Sequence, residues 1–205
     1  MKVIVLEGIN GSGKSSLAAL IRSALDVANV PNIAVDPAAV GPIGQLLRAR
    51  LVHPEFGADP DVDTLLFAAL RAEGFRRLCE TLEHPDTVIL LERWSLALCA
   101  YGHADGARAP LITELRGVLS RITRVDITFV IDVPGAVALP RLTQGYLNRF
   151  ELKGAGYLDR VADAYRRLAQ DENETYLIDG TKALGAIFTQ MRPLLARHWP
   201  QFRLS

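Results

Sequence analysis

Residues 8–15 have the spacing of a phosphate-binding loop. They read GINGSGKS, which fits the pattern G-x-x-x-x-G-K-[ST], and they directly follow the apolar run at 3–6. Glycines allow backbone amides to turn inward toward phosphate oxygens, and the helical pattern that follows favours negative charge at its N-terminus. A plain glycine turn would not need a strand before it and a helix after it. The segment therefore predicts a site for a nucleotide polyphosphate such as ATP.

The positions of this loop divide between phosphate and metal binding. Lys14 is the predicted catalytic lysine because its amine can reach the β- and γ-phosphates, and the Ser15 hydroxyl is expected to ligate Mg²⁺. The carboxylate of Glu7, at the end of the strand, is expected to frame the site. The predicted nucleotide-binding residues are Gly8, Asn10, Gly11, Ser12, Gly13, Lys14, Ser15 and Ser16.

A second apolar run, Thr87–Leu91, ends in Glu92 and Arg93. If the sheet is parallel, this acid and this guanidinium lie at the same edge as the phosphate loop. Glu92 is predicted to hold magnesium or to orient an acceptor oxygen, and Arg93 to bind an acceptor phosphate in a bidentate manner. The alternative is a structural ion pair at a strand end.

The segment 141–151 is predicted to be a lid. It lies between two helical patterns and carries Arg141 near one end and Arg149 near the other. A closing lid can bring guanidinium charge to the transferring phosphoryl group and exclude water. Both arginines are candidate catalytic residues, and the alternative is that both are solvated side chains near helix termini.

The long helical pattern Asp61–Leu82 places Phe67 and Arg71 one turn apart on one face. An aromatic ring and a guanidinium at this spacing could contact one flat ligand. Tyr101, on the short helical pattern Ser95–Tyr101, is a further candidate for substrate contact. Such side chains are more often a core aromatic beside a surface arginine, so the spacing alone leaves both readings open.

Composition sets broad limits. The chain has 205 residues, 49% of them hydrophobic, which suits one α/β domain spanning 1–205. Its 23 basic and 23 acidic side chains balance, so nucleic acid and anionic membranes are not expected partners. The start leaves no room for a signal peptide, and Cys79 and Cys99 fit small buried thiols. We expect a cytoplasmic protein that binds a small phosphate acceptor.

Apolar runs alternate with helical patterns along the whole chain. This alternation predicts a doubly wound α/β fold of the P-loop NTPase type, in which helices flank a five-stranded parallel sheet and ligands bind at the carboxyl ends of the strands. Segments 54–63 and 102–110 are the predicted loops. The predicted strands are Val3–Glu7, Ile33–Asp36, Thr87–Glu92, Asp126–Asp132 and Thr175–Asp179.

Taken in order, these motifs resemble those of the thymidylate kinases, P-loop enzymes that move the γ-phosphoryl group of ATP to deoxythymidine monophosphate (dTMP). The resemblance extends over nearly the whole chain. Its segments are Glu7–Ser15, Pro42–Gly44, Leu65–Ala72, Glu92–Trp94 with Ala100 and Tyr101, Val130–Val133, Asn148–Glu151, Tyr157–Tyr165 and Tyr176–Asp179.

The resemblance implies roles in an acceptor site. It implies that Phe67 stacks on the acceptor base, that Arg71 and Arg93 hold the acceptor nucleotide, and that Tyr101 lies near its sugar. Asn10 would also contact this substrate. The resemblance further implies ATP and Mg²⁺ as cofactors and a homodimer formed through helices.

Several positions depart from the family pattern, mostly on the acceptor side. The family has an aspartate at Asn10, an arginine at Val35, an acidic residue at Leu70 and, at Gly102, an amide that reads the pyrimidine edge. It also has a Gly-Gly-Thr run at positions 38–40 and an aspartate where Glu92 stands.

These departures suggest a changed acceptor. A site that has lost hydrogen-bonding partners can no longer reject analogues through unpaired buried polar groups. Asn10 cannot offer Mg²⁺ an anionic oxygen, although its carbonyl can accept a hydrogen bond. We expect a nucleoside monophosphate kinase acting on dTMP or, rather, on a modified or unusual nucleotide. The alternatives are a P-loop kinase for a metabolite that is not a nucleotide and an ATP-binding module with weak acceptor chemistry.

Overall fold

The computed structural model describes residues 1–56, 59–142 and 147–202. Five strands form one sheet in the order β2-β3-β1-β4-β5, and every neighbouring pair is parallel. This arrangement confirms the predicted doubly wound α/β class. The strands are β1 (Lys2–Glu7), β2 (Asn32–Val35), β3 (Val88–Glu92), β4 (Ile127–Asp132) and β5 (Thr175–Asp179).

Helices cover both faces of the sheet. They are α1 (Lys14–Val27), α2 (Gly41–Leu51), α3 (Pro60–Glu80), α4 (Ser95–Asp105), α5 (Ala109–Ile122), α6 (Gly135–Leu142), α7 (Ala155–Gln170) and α8 (Leu184–Leu195), with 3-10 turns at Pro37–Ala39, Glu151–Lys153 and Pro200–Phe202.

The central strand β1 shows why its sequence is apolar throughout. Ile4 and Leu6 point into a core formed with α1, α7 and α8, whereas Val3 and Val5 point into a core formed with α3 and α5. Successive side chains of a strand face opposite sides, so a strand covered on both faces has no polar side. All four side chains are buried.

The register of the sheet brings the predicted motifs to one edge. Leu6 of β1 lies opposite Glu92 of β3, and Glu7 lies opposite Val130 of β4. The phosphate loop after β1 and Arg93 after β3 therefore leave the sheet at the same level. This is the carboxyl edge, where open α/β sheets bind ligands.

Two predicted loops are shorter than expected. Helix α4 was expected to end at Tyr101, but it continues to Asp105 and ends at Gly106, whose φ of 89° suits a glycine. Helix α3 begins at Pro60, inside the predicted loop 54–63, because the Asp59 side chain accepts a hydrogen bond from the Asp61 backbone and caps the helix. The prediction failed because it treated glycine and proline as loop residues, although both also mark helix ends.

Within the described ranges, no helix combines the length and the apolar character needed to cross a bilayer. Both cysteines are free thiols. Cys99 is buried, and burial raises the pKa of its thiol to about 11. Cys79 is only partly buried, so the expectation of buried thiols holds for one of the two.

Candidate active site

The phosphate loop lies so close to its neighbours that two of its positions require glycine. Gly8 has a φ of 132°, and a Cβ there would lie 2.6 Å from the Ile131 carbonyl oxygen on β4. Gly11 has a φ of 77°, and a Cβ there would lie 2.4 Å from the Ala138 carbonyl oxygen on α6. A side chain at either position would displace the loop from the sheet edge.

Lys14 is folded into the centre of the loop. Its amine donates hydrogen bonds to the carbonyl oxygens of Ile9, at 2.7 Å, and Gly8, at 3.1 Å. The side chain is buried, and desolvation, followed by repulsion from Arg93, lowers the pKa of the amine well below its usual value. A bound phosphate would relieve this penalty by supplying negative charge.

The side chains predicted to bind magnesium are in direct contact. The Ser15 hydroxyl donates a hydrogen bond to Oε2 of Glu92 at 2.6 Å. Both line the donor cleft, a volume of about 580 Å³ that also contains Ser16 and residues 10–14 of the loop. Mg²⁺ prefers oxygen ligands and keeps waters and substrate phosphates in its shell, so a hydroxyl and a carboxylate fit such a site. Groups of three acidic, histidine or cysteine side chains suited to a metal are absent from the described residues.

Arg141 lies on the donor side of the site. Its Nη1 donates hydrogen bonds to the carbonyl oxygens of Gly11 and Gly180, each at 3.3 Å. The guanidinium therefore spans from α6 to the phosphate loop and lines the donor cleft. The lid predicted at 141–151 begins here, but residues 143–146 lie outside the described part of the chain.

Arg93 lies between the donor cleft and a second cavity, called the acceptor pocket below, whose lining includes Phe67, Tyr101 and Phe150. Its φ of 76° is unusual for a residue other than glycine, and Nη1 donates a hydrogen bond to the Gly8 carbonyl oxygen at 2.6 Å. Nη2 donates to Oδ1 of Asn10. Arg93 and Asn10 line both cavities, as their predicted roles require.

Aromatic rings form the walls of the acceptor pocket. Phe67 on α3, Tyr101 on α4 and Phe150 all line it, with ring centroids 6.1 Å apart for Phe67 and Phe150 and 5.2 Å apart for Tyr101 and Phe150. Rings at these distances contact one another, so they form one apolar wall on which the face of a planar base could stack. Phe67, singled out by its helical spacing from Arg71, and Tyr101, a candidate by the family resemblance, therefore line one pocket.

Arg71 brings an incompletely satisfied guanidinium to this pocket. Its Cζ lies 5.5 Å from the Phe67 ring, and Nη1 donates to the Phe67 carbonyl oxygen at 3.1 Å. Among the described residues, nothing accepts a hydrogen bond from its buried Nε. Burial lowers the pKa of this guanidinium. A buried donor with spare capacity suits a phosphate or carbonyl oxygen of a ligand.

Arg149, the second predicted lid arginine, is on the acceptor side rather than beside Arg141. It is buried and forms an ion pair with Oδ2 of Asp63 on α3. Its Cζ lies 4.5 Å from the Phe150 ring and 5.3 Å from the Phe56 ring. These contacts are with α3 and with aromatic rings, not with the phosphate loop. Its catalytic role therefore stays a prediction.

Glu7 does not line the site but stabilises the backbone next to it. It is fully buried and lines neither cavity. Its carboxylate accepts hydrogen bonds from the backbone amides of Trp94, at 2.8 Å, and Ala97, at 3.2 Å, and from the Tyr165 hydroxyl at 3.1 Å. Desolvation raises the pKa of Glu7. The residue ties the beginning of α4 to β1 and so holds Arg93, one residue before Trp94, in place.

Sequence reasoning missed several charged residues at the site, including Asp105 in the acceptor pocket and Lys182 in the donor cleft. Asp36 and Arg48 pair at 2.9 Å and line both cavities, while Asp63 lines the acceptor pocket. Glu151 contacts the Asn10 amide. A signal existed for Asp36, which follows β2 as Arg93 follows β3. Nothing in the sequence indicated Arg48, Asp63 or Glu151, because folding brings them to the site from elements distant in sequence.

Among the positions that depart from the family pattern, 35 and 70 carry packed apolar side chains. Leu70 is buried in a cluster with Ala38 and Leu51, and Val35 packs against the core on the α3 side of the sheet. At Gly102, an added Cβ would lie 3.1 Å from Ile112 Cδ1 and 3.3 Å from Thr64 Oγ1. Neighbouring side chains therefore occupy the space that a larger residue at 102 would need.

The fold and the site together define a P-loop phosphotransferase. The phosphate loop and the Ser15 and Glu92 oxygens line one cavity, and Arg93 separates it from the acceptor pocket. The chain belongs to the thymidylate kinase family, because the family model described as "Thymidylate kinase" matches residues 6–191. It is accordingly an ATP-dependent phosphotransferase of the nucleoside monophosphate kinase type.

Similar proteins cover nearly its full length. The chain is 31% identical to "Probable thymidylate kinase" of Pyrobaculum calidifontis over 98% of each chain. It is 26% identical to "Thymidylate kinase" of Thermosipho africanus over 95% of this chain and 98% of that one. It is 32% identical to "Thymidylate kinase" of a Synechococcus species over 80% and 81%.

Proposed function

We propose that this protein transfers the γ-phosphoryl group of ATP to a nucleoside monophosphate of the thymidylate class. The observation that carries this proposal is the meeting of two cavities at Asn10 and Arg93: a donor cleft around the phosphate loop and an aromatic acceptor pocket. A kinase must hold both substrates in line, and positioning supplies much of its catalysis.

Each residue has a definite part in this reaction. Lys14 neutralises charge on the ATP phosphates, and Ser15 with Glu92 would hold Mg²⁺, which offsets the charge of the β- and γ-phosphate oxygens. Arg93 orients the acceptor phosphate at the junction. Arg141 adds positive charge over the loop from the donor side.

We further propose that the preferred acceptor differs from dTMP at the base edge that faces α4. Gly102 supplies no side-chain amide there, and the nearby Thr64 hydroxyl donates its hydrogen to the Pro60 carbonyl oxygen, so it can only accept from a ligand. Among the described residues, Oδ1 of Asp63 has no hydrogen-bond partner. A pocket edge that offers hydrogen-bond acceptors, here Thr64 and Asp63, favours a base that carries an additional hydrogen-bond donor.

A panel of acceptors tests both levels of this proposal. Steady-state kcat/KM is measured with ATP and Mg²⁺ on dTMP, dUMP, dCMP and pyrimidine monophosphates with hydroxymethyl or aminomethyl groups. Transfer to any of them supports the kinase assignment, and a higher kcat/KM for a donor-bearing base supports the altered edge. A clear preference for dTMP would refute the altered edge alone. Transfer to none of these nucleotides would refute the assignment.

We also propose a cytoplasmic homodimer. Helix α2 exposes Ile43, Leu46 and Leu47, and the adjoining helix α3 exposes Val62 and Leu65. Exposed apolar side chains on two neighbouring helices are candidates for an interaction surface. A second copy of this chain is the partner that the family resemblance implies, and two such faces would cover each other.

A further inference from the structure

The donor cleft and the acceptor pocket share four polar side chains: Asn10, Asp36, Arg48 and Arg93. A phosphoryl group passing from ATP to an acceptor crosses this junction. Small displacements of positioning groups have large effects on rate, so whatever fixes these side chains affects transfer.

Within the junction, the Asn10 amide bridges a cation and an anion. Its Oδ1 accepts a hydrogen bond from Nη2 of Arg93, and its Nδ2 donates one to Oε1 of Glu151. A guanidinium only donates and a carboxylate only accepts, so the two partners determine which atom of the amide faces which side. The bridge joins the phosphate loop to the last residue of the predicted lid.

Glu151 is firmly placed for this task. It is 4% exposed, and its second oxygen accepts a hydrogen bond from the Asn148 backbone amide at 2.8 Å. It also begins the 3-10 turn Glu151–Lys153, whose last residue is followed by helix α7 after one glycine. Its carboxylate is therefore held by its own segment before it contacts Asn10.

Arg93 in turn depends on the bridge for its orientation. One guanidinium nitrogen is fixed by the Gly8 carbonyl oxygen and the other by Asn10. If the Asn10 amide turned, Arg93 would keep its hydrogen bond to the Gly8 carbonyl oxygen and its contact with the Tyr101 ring, 5.4 Å from Cζ, but it would lose the hydrogen bond that orients Nη2. A bidentate contact with an acceptor phosphate needs a fixed guanidinium plane.

We propose that Glu151 is a positioning residue for phosphoryl transfer, acting through Asn10 to orient Arg93. This inference rests on the proposed function. In this chain the amide satisfies Arg93 and Glu151 at once.

A carboxylate at position 10 would create a conflict with Glu151. It would still accept from Arg93, but two carboxylates in contact cannot both ionise freely, and the pKa of one is raised until they share a proton. The other charged or titratable groups that face this pair are Arg93, at the end of β3, and Tyr101, on α4. The conflict should therefore grow as pH rises and the shared proton is lost.

Exchanging the amide and the carboxylate between positions 10 and 151 tests the proposal. In Asn10→Asp we expect kcat/KM for the acceptor to fall by about tenfold, and its ratio to wild type to recover as pH is lowered. Glu151→Gln should also lose activity. The glutamate accepts hydrogen bonds from two N–H groups, those of Asn10 and Asn148, whereas the NH₂ group of a glutamine would face one of them and could not accept. In the double variant, the glutamine amide can donate to the aspartate and accept from Asn148, so most of the activity should return. Glu80→Gln, in an exposed ion pair on α3, is the matched control.

Thermal unfolding gives a second readout that needs no acceptor. The Tm of Asn10→Asp should rise relative to wild type as pH falls, and the double variant should lose this dependence. The inference is overturned if Asn10→Asp is as active as wild type at every pH, if Glu151→Gln is unimpaired, or if the double variant is no better than the two single ones. Absence of transfer by the wild type would instead refute the proposed function, and the unfolding data would still decide whether the bridge exists.

Discussion

At the scale of single residues, a substitution of Phe67 should affect binding of the acceptor but not binding of ATP. Its ring lines the acceptor pocket and is absent from the donor cleft. We expect Phe67→Leu to raise KM for the acceptor by roughly tenfold or more, because stacking of a base on an aromatic ring contributes about 1–3 kcal/mol. KM for ATP should stay unchanged, and initial rates with each substrate varied in turn give both constants. An equal rise in both would show that Phe67 supports the fold rather than the base.

The roles of individual residues could be predicted from the sequence where the residues that act together are close neighbours along the chain. The phosphate loop is local, so Lys14 and Ser15 follow from spacing alone. Contacts between distant segments could not be predicted this way. Nothing near Asp63 in the sequence indicates Arg149, and nothing near Asn10 indicates Glu151, because each pair is created by folding.

At the scale of elements, the contact between α3 and the 3-10 turn Pro37–Ala39 positions one wall of the junction. A Cβ at Gly74 on α3 would lie 1.8 Å from the Pro37 carbonyl oxygen, next to Asp36. Gly74→Ala must therefore push the turn away from the helix. We expect it to reduce the free energy of unfolding by about 1–3 kcal/mol and to lower activity as well, since Asp36 lines both cavities.

A matched substitution isolates this steric effect. Gly156 lies in α7, where an added Cβ would meet nothing within 4 Å. Gly156→Ala should leave stability unchanged or increase it by up to about 1 kcal/mol, because alanine favours helix. Urea unfolding of both variants provides the comparison. Equal destabilisation would mean that the close approach of α3 to the turn does not hold the structure.

At the scale of the whole molecule, the proposed dimer face makes a direct prediction. Leu46 on α2 is 72% exposed. We expect Leu46→Asp to convert the dimer to a monomer, since a desolvated carboxylate in an apolar interface is strongly unfavourable. Val27→Asp is the control, because Val27 is 83% exposed on α1, a different helix. Sedimentation equilibrium measures the mass of both, and a monomeric wild type would contradict the proposal.

The overall fold was largely predictable because it repeats one simple pattern. Short apolar runs alternate with amphipathic helices, and all five strands lie within one or two residues of their expected limits. The distribution of charge was less predictable. The net charge is zero, yet Arg48, Arg71 and Arg93 all line the acceptor pocket. Composition reports the sum of the charges, whereas folding determines where they meet.

The central claim is that the phosphate loop delivers the terminal phosphoryl group of ATP to a nucleotide in the aromatic pocket. The most direct measurement follows the γ-phosphate label of ATP after incubation with Mg²⁺ and the acceptor panel. We expect the label to appear on a nucleoside diphosphate, with one ADP formed for each, and Lys14→Ala to abolish this transfer while leaving the fold largely intact. Label released only as inorganic phosphate, or unchanged transfer by the Lys14 variant, would contradict the account.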